Sequence, residues 1–308
     1  MVCLPSSQAA GCAGVGSSGV SFEVDGLRCA ATVYRPDRVH APVGCVVMGH
    51  GLSLTREDGI PGYAGRFAAA RIAALAFDYR HWGGSEGDPR RRFSLRRQLE
   101  DWRAAVAFAR GLDGVDPTRI AVWGMSLGGG HALTVAASDP GIAAVVALVP
   151  MTDGLAATLK PAPPRVTMRI IGRAMRETIT RRPARVPVAG GEGSFAVLAA
   201  SEALPGFERL AGENGWHNDV TSAGLFALGG YRPARQAAHI EAPVLLQLGE
   251  RDAMVPLRAI ENTRRRAPHA QLLRYPIDHF GCFWPEQFDT VCSDEVEFLR
   301  RHLVAAGA

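Results

Sequence analysis

The stretch Ile120-Ala121-Val122-Trp123-Gly124-Met125-Ser126-Leu127-Gly128-Gly129-Gly130 decides the fold. It reads as a short apolar strand, a tight turn of small residues with one serine at its tip, and the start of a helix. This is a Gly-x-Ser-x-Gly elbow in its strand–turn–helix setting. A serine on so sharp a turn needs neighbours without a Cβ, because larger groups would collide with the adjoining strand and helix. The turn aims the next backbone N–H groups at whatever the serine attacks, and a helix N-terminus favours negative charge there. With 35 glycines in the chain the bare motif carries little, so the flanking strand and helix carry the assignment.

Outward from the elbow, strand and helix alternate. Residues 20–24 and 27–34 read as two strands around Asp25-Gly26, a short hairpin signal. Residues 43–48 form a continuous apolar run, as expected of a strand covered on both faces, and end in Gly49-His50-Gly51-Leu52. Residues 63–71 have helical spacing, 72–79 read as a buried strand, and 80–89 as a Gly-rich loop. Leu95, Leu99, Trp102 and Val106 set a helix over 93–112, with Ser94 as its N-cap. Residues 142–149 form the strand after the elbow helix.

From about 150 to 239 the alternation stops. Prolines (Pro161, Pro163, Pro164, Pro183, Pro187) interrupt helix-like pieces at 165–179 and 195–203. Phe195, Phe207, Trp216, Phe226 and Tyr231 argue against disorder here. Alternation then resumes: strand 244–248, helix 257–266, strand 271–275 and a closing helix at 285–303. The pattern predicts an α/β fold, a mostly parallel twisted sheet flanked by helices. Its core is expected at 19–149 and 240–308, with a mostly helical cap at 150–239 over the sheet's carboxyl edge and a disordered extension at 1–18.

The chain has 308 residues, 47% hydrophobic and 21% charged, enough for a sizeable core. Its formal charge of +4 is almost all arginine, with Lys160 the sole lysine. The runs Arg90-Arg91-Arg92, Arg96-Arg97 and Arg264-Arg265-Arg266 read as solvated helix faces, and no nucleic-acid partner is expected. The six cysteines (Cys3, Cys12, Cys29, Cys45, Cys282, Cys292) have neither metal-ligand nor disulfide spacing, which favours a reducing, cytoplasmic setting. The first eighteen residues lack the charged and apolar regions of a signal peptide. No apolar run is long enough to span a bilayer, so no membrane partner is expected, while a homodimer stays open.

A serine hydroxyl is a poor nucleophile near neutral pH and needs a base and an oriented imidazole. In sheets of this type the three groups follow in chain order serine, acid, histidine. Downstream of Ser126, Asp252 ends the strand 244–248 and its turn, and His279 lies in the loop after the last strand. Loops at the carboxyl ends of parallel strands converge, so Ser126, Asp252 and His279 form the expected catalytic set. Asp278 and Asp153 are competing acids. Asp278 adjoins the histidine, which turns its side chain elsewhere, so Asp153 is the stronger rival. The oxyanion is expected to be held by the backbone N–H groups of Leu127 and Leu52, with Gly51 as the alternative to Leu52. His40, His81, His131, His217, His239, His269 and His302 show no ligand spacing, so neither metal nor cofactor is expected.

These features together resemble the α/β-hydrolase fold over roughly residues 20–305. The likeness is carried by His50-Gly51, the run Asp78-Tyr79-Arg80-His81-Trp82-Gly83-Gly84-Ser85-Glu86-Gly87, the elbow, residues 249–256 and His279-Phe280. The Asp78 run and Asp278-His279-Phe280 are most similar to the dienelactone hydrolase and Xaa-Pro dipeptidyl-peptidase branches and to fungal polyketide acyltransferases. The resemblance gives Ser126, Asp252 and His279 the roles of nucleophile, acid and base. Two departures stand out: many relatives have glycine at the position of His81, and dienelactone hydrolases often use cysteine where this chain has Ser126. The expected activity is cleavage of a carboxylic ester, thioester or lactone of a small, apolar acyl substrate through an acyl-serine. Acyl transfer to an alcohol or amine is the alternative, and a peptidase or a silent ligand-binding relative are further ones.

Overall fold

A computed structural model describes residues 15–37, 41–159 and 164–304. The expectations placed on Cys3, Cys12, His40, Lys160, Pro161, Pro163 and residues 1–14 lie outside them. In chain order the elements up to the break in alternation are β1 Val15–Val24, β2 Leu27–Pro36, β3 Val43–Gly49, α1 Ile60–Ala69, β4 Ala73–Phe77, α2 Leu95–Arg110, β5 Val115–Met125, α3 Leu127–Ala136 and β6 Ile142–Leu148. The insertion holds α4 Gly154–Leu159, α5 Pro164–Thr180, β7 Arg185–Val186, β8 Ala189–Gly190, β9 Leu198–Ala199, α6 Ala203–Ala211, β10 Val220–Thr221 and α7 Pro233–Gln236. The sheet then resumes with β11 Val244–Gly249, α8 Leu257–Arg266, β12 Ala270–Tyr275 and α9 Pro285–Leu303.

One eight-stranded sheet runs β1-β2-β4-β3-β5-β6-β11-β12. The six strands from β4 to β12 pair in parallel, and the β1–β2 hairpin joins antiparallel at the β4 edge. The hairpin turns at Asp25-Gly26, both with positive φ (50° and 73°), the two-residue turn whose twist suits paired strands. β3, β4 and β6 are apolar and almost wholly buried because helices cover both faces: α1 and α9 on one, α2, α3 and α8 on the other. Ser94 caps α2, its hydroxyl accepting the Arg97 N–H.

Two expectations need correction. Residues 15–18 are not part of a disordered extension; they belong to β1, where Val15 to Ser18 pair with Pro36 to Val33. An edge strand is held by main-chain bonds to its neighbour, so Gly16-Ser17-Ser18 can form it while exposed, and composition hides it. Residues 195–203 are not a helix either. Leu198–Ala199 pairs with Ala189–Gly190 as a short strand, and the helix begins at Ala203. The pattern of the insertion mixes helices and 3-10 turns with two pairs of two-residue strands. Among the described residues no helix is long and apolar enough to cross a membrane.

The loop after β4 is built around buried charge. Asp78, fully buried, accepts the N–H groups of Arg56 (2.8 Å) and Gly84 (2.8 Å) and pairs with the Arg56 guanidinium. Arg80 joins Asp25 of the hairpin turn to Glu100 and Asp101 of α2. His81 has φ 75°, in the left-handed region that favours glycine, so the departure seen in the sequence falls at a strained position. It is held by its own N–H to the Glu86 carbonyl (2.7 Å) and by Nδ1 against the Pro89 carbonyl (3.1 Å), while burial pushes its pKa down to about 4.

Candidate active site

Ser126 occupies the strained turn between β5 and α3, with φ 55° and ψ −118°. Backbone bonds on both sides hold it there. Its N–H donates to the Leu148 carbonyl (2.9 Å), and its carbonyl accepts the N–H groups of Gly130 (3.1 Å) and Met151 (2.9 Å). The elbow is packed too tightly for side chains. A Cβ on Gly124 would overlap the Gly128 carbonyl, and one on Gly128 would overlap the Gly49 carbonyl.

The structure brings Asp252 and His279 together: Nδ1 of His279 lies 2.6 Å from Oδ2 of Asp252, both side chains buried. The other oxygen of Asp252 accepts the N–H groups of Met254 (2.8 Å) and Val255 (2.9 Å), which fixes the carboxylate in its own turn after β11. Burial by itself would lower the His279 pKa; the Asp252 carboxylate outweighs it, and the net shift is upward. The rival acids are placed elsewhere. Asp278 accepts the N–H groups of Phe280 (3.0 Å) and Gly281 (2.7 Å). Asp153 accepts the Ala156 N–H (3.1 Å) and faces Arg232 at 3.8 Å.

The expected oxyanion donors lie at the two loops that flank the serine. Leu127 is the first residue of α3, where an N–H has no partner within the helix. The β3 loop comes up against the elbow: a Cβ on Gly51 would sit 3.4 Å from that of Ser126. Leu52 follows, and Ser53 turns the chain with φ 62°. His50 braces this loop from below. Its Nδ1 meets the Gly51 carbonyl (2.9 Å), its ring packs on Tyr79 at 4.4 Å, and the Tyr79 hydroxyl donates to its carbonyl (3.1 Å). Burial pushes the His50 pKa down, so the ring is neutral.

Sequence reasoning missed Glu202, which enters from the insertion. Its Oε1 accepts the Ala253 N–H at 2.9 Å, one residue from Asp252, and burial foremost raises its pKa. Nothing marks it in the sequence, because it lies between short elements without periodicity. The insertion also grips both loops of the site. Phe207 of α6 packs edge-on to Phe280 (5.2 Å) and stacks on Trp216 (5.0 Å), whose Nε1 donates to the Ser53 carbonyl (3.1 Å). Beside Ser53 a cleft of about 390 Å³ opens between Arg56, Asp58, Trp82, Trp216 and His217.

His131 has a structural part. Its Nδ1 meets the Tyr231 hydroxyl (2.7 Å), its Nε2 the Gln98 side-chain oxygen (3.1 Å), and burial pushes its pKa down to about 3. Among the described residues no group of three or more His, Cys, Asp or Glu side chains is placed to hold a metal ion.

The sequence matches the family described as serine aminopeptidase, S33, over residues 40–277. It is 36% identical over 289 residues to the quorum-quenching protein AidA of Acinetobacter baumannii (strain MDR-ZJ06), covering 92% of this chain and 94% of that protein. It is 27% identical to the polyketide transferase ATR5 of Stachybotrys chlorohalonatus, over 91% of this chain and 95% of that one. Among solved structures, the α/β hydrolase GrgF from Penicillium sp. sh18 superposes with a TM-score of 0.81 at 23% identity, over 94% of this chain and all of the other.

Proposed function

The chain belongs to the serine aminopeptidase S33 family and is an α/β-hydrolase enzyme, and on that footing we propose that it works through an acyl-serine formed on Ser126. The observation that carries this reading is the buried His279–Asp252 hydrogen bond on the same sheet edge as the strained Ser126 elbow. Ser126 Oγ attacks the carbonyl of an ester, thioester or lactone while Nε2 of His279 takes its proton. Asp252 holds the imidazole by Nδ1 and stabilises the cation that forms. The N–H groups of Leu127 and Leu52 receive the oxyanion, each supplying on the order of 3 kcal/mol. The proton then passes from His279 to the leaving group. In the second half His279 activates water, and the acid is released with Ser126 restored.

The insertion at 150–239 is the cap in this reading, and its grip on the Ser53 and Phe280 loops supports that part. The substrate is a small, apolar acyl compound. Likeness to a protein named for quorum quenching puts small diffusible signals first among the compounds to assay. The burial of Cys29, Cys45 and Cys282 as free thiols supports a reducing, cytoplasmic setting. Labelling with a fluorophosphonate is the direct test: the probe is expected on Ser126 and lost in Ser126→Ala. Labelling that persists in that variant overturns the assignment.

A second reading is favoured by the polyketide transferase relative, which is matched over nearly its whole length. The acyl group then passes to an alcohol or amine in place of water. Product analysis with acyl donor and competing acceptors separates the two. Free acid with every acceptor supports hydrolysis, and a new ester or amide supports transfer.

A further inference from the structure

Helix α5 has two apolar faces along its 17 residues, and the described residues cover only one. Val166 and Ala174 are turned inward, 3% and 1% exposed, with Ile170 packed beside them. On the opposite side, Met168, Met175 and Ile179 are 64%, 52% and 76% exposed. At about 100° per residue, positions 168, 172, 175 and 179 fall on one stripe facing away from Val166 and Ala174. Gly172, within that stripe, has no atom of another described residue within 4 Å of where a Cβ would stand.

The stripe does not stand alone. Among the described residues, the other large exposed hydrophobic side chains are Leu155 of α4 and Phe226 of the 3-10 turns Ala223–Gly230. Those turns pack on both α4 and α5, so all five exposed side chains belong to one part of the insertion. Apolar exposure gathered in this way marks a surface that meets something.

Charge says what it meets. Arg165, Arg169, Arg173 and Arg176 run along one edge of the stripe, all exposed, and Arg181 and Arg182 continue them past the helix end. Arg169 and Arg173 lie over the Phe195 ring at 4.5 and 5.2 Å, Arg173 also donates to the Arg185 carbonyl (2.9 Å), and among the described residues the insertion's own ion pairs use Arg185 and Arg232 instead. The sole acid of α5, Glu177, is turned inward, its Oε2 accepting the Ser222 N–H (2.8 Å), the Ser222 hydroxyl (2.8 Å) and the Ala223 N–H (2.9 Å). The face is therefore apolar and cationic with no acid of its own. A second copy is a poor complement, since an antiparallel two-fold pair of α5 helices sets both arginine rows along the same edge.

We propose that this face docks on the surface of an anionic lipid bilayer. Met168, Met175 and Ile179 enter the boundary between headgroups and acyl chains, and the arginine row rests on the lipid phosphates. The lack of a spanning run bears on crossing a bilayer; a helix lying in its surface needs none.

The test is sedimentation of the full chain with phosphatidylcholine vesicles, with and without phosphatidylglycerol. Binding is expected to the anionic vesicles alone and to weaken steeply as salt is raised. Met168→Ser/Met175→Ser/Ile179→Ser is expected to weaken it at least tenfold. Arg165→Gln/Arg176→Gln is expected to weaken it by about fivefold per arginine. Circular dichroism and Tm are expected to be unchanged, since all five side chains are exposed. The proposal is overturned if neither vesicle binds, if both bind equally, or if the two variants bind as tightly as the parent. It is also overturned if ultracentrifugation shows a dimer that the apolar triple variant dissolves, which assigns the stripe to a second copy.

Discussion

The strands β3, β4 and β6 are buried along almost their whole length, with helices on both faces, whereas α5 of the insertion buries one flank and leaves methionine and isoleucine in solvent on the other. The sheet supplies Ser126, Asp252 and His279, each at the end of a different strand. The insertion supplies none of the three, yet Glu202 and Phe207 hold the loops of Asp252 and His279, and Trp216 holds the Ser53 loop beside the elbow. Under the proposed function the division is one between chemistry fixed by a close-packed scaffold and access governed by a looser part. It teaches where a substitution should be felt as lost catalysis and where as lost binding or nothing at all.

The largest expected effect tests whether the sheet alone carries the chemistry. Ser126→Ala or His279→Ala is expected to lower kcat by on the order of 10⁶-fold with little change in Tm. A residual rate within tenfold of the parent enzyme breaks the comparison. Asp252→Asn is expected to lower kcat about 10⁴-fold, because the imidazole loses its oriented tautomer. The pH profile sharpens this. His279 must be neutral to act as base, and the Asp252 carboxylate holds its pKa above the ordinary histidine value, so kcat/KM is expected to fall as pH drops through that raised pKa. In Asp252→Asn, burial remains while the carboxylate is gone, so that limb is expected to move to lower pH. A limb that stays in place denies the pairing its electrostatic part.

Trp102 is fully buried in α2 and fills the space beside Gly49, where a Cβ would overlap its ring. Trp102→Ala is expected to cost about 3–5 kcal/mol in unfolding free energy, measured by denaturant. Glu202→Gln keeps the size but weakens the bond to the Ala253 N–H beside Asp252. It is expected to lower kcat/KM about tenfold and to leave the fold intact; no change makes Glu202 a bystander. Met175→Ser, on the exposed stripe, is expected to change stability by no more than about 0.5 kcal/mol. A large loss there means that the outer face of α5 is covered after all.

The features legible in the sequence are those set by local rules. The elbow, the Asp25-Gly26 turn, the apolar strand runs and the Ser94 cap each follow from what a few neighbouring residues sterically allow. Asp252 and His279 were readable because parallel strands end in loops that converge. The edge residues 15–18 were not, since pairing with β2 rather than side-chain pattern makes them a strand. The short β8–β9 pair and Glu202 were not either. Their places follow from long-range contacts among alanine- and glycine-rich pieces, which favour no single local structure.

The sheet order has a consequence for the life of the chain on the ribosome. β5, with Ser126 at its end, is followed by β6 and the whole insertion before β11 and β12 take their places at the far edge. A nascent polypeptide that has emerged as far as residue 239 thus displays the serine hydroxyl without His279, the base proposed for it. Under the proposed mechanism the reactive centre is therefore silent through most of its synthesis and is armed when the last two strands dock.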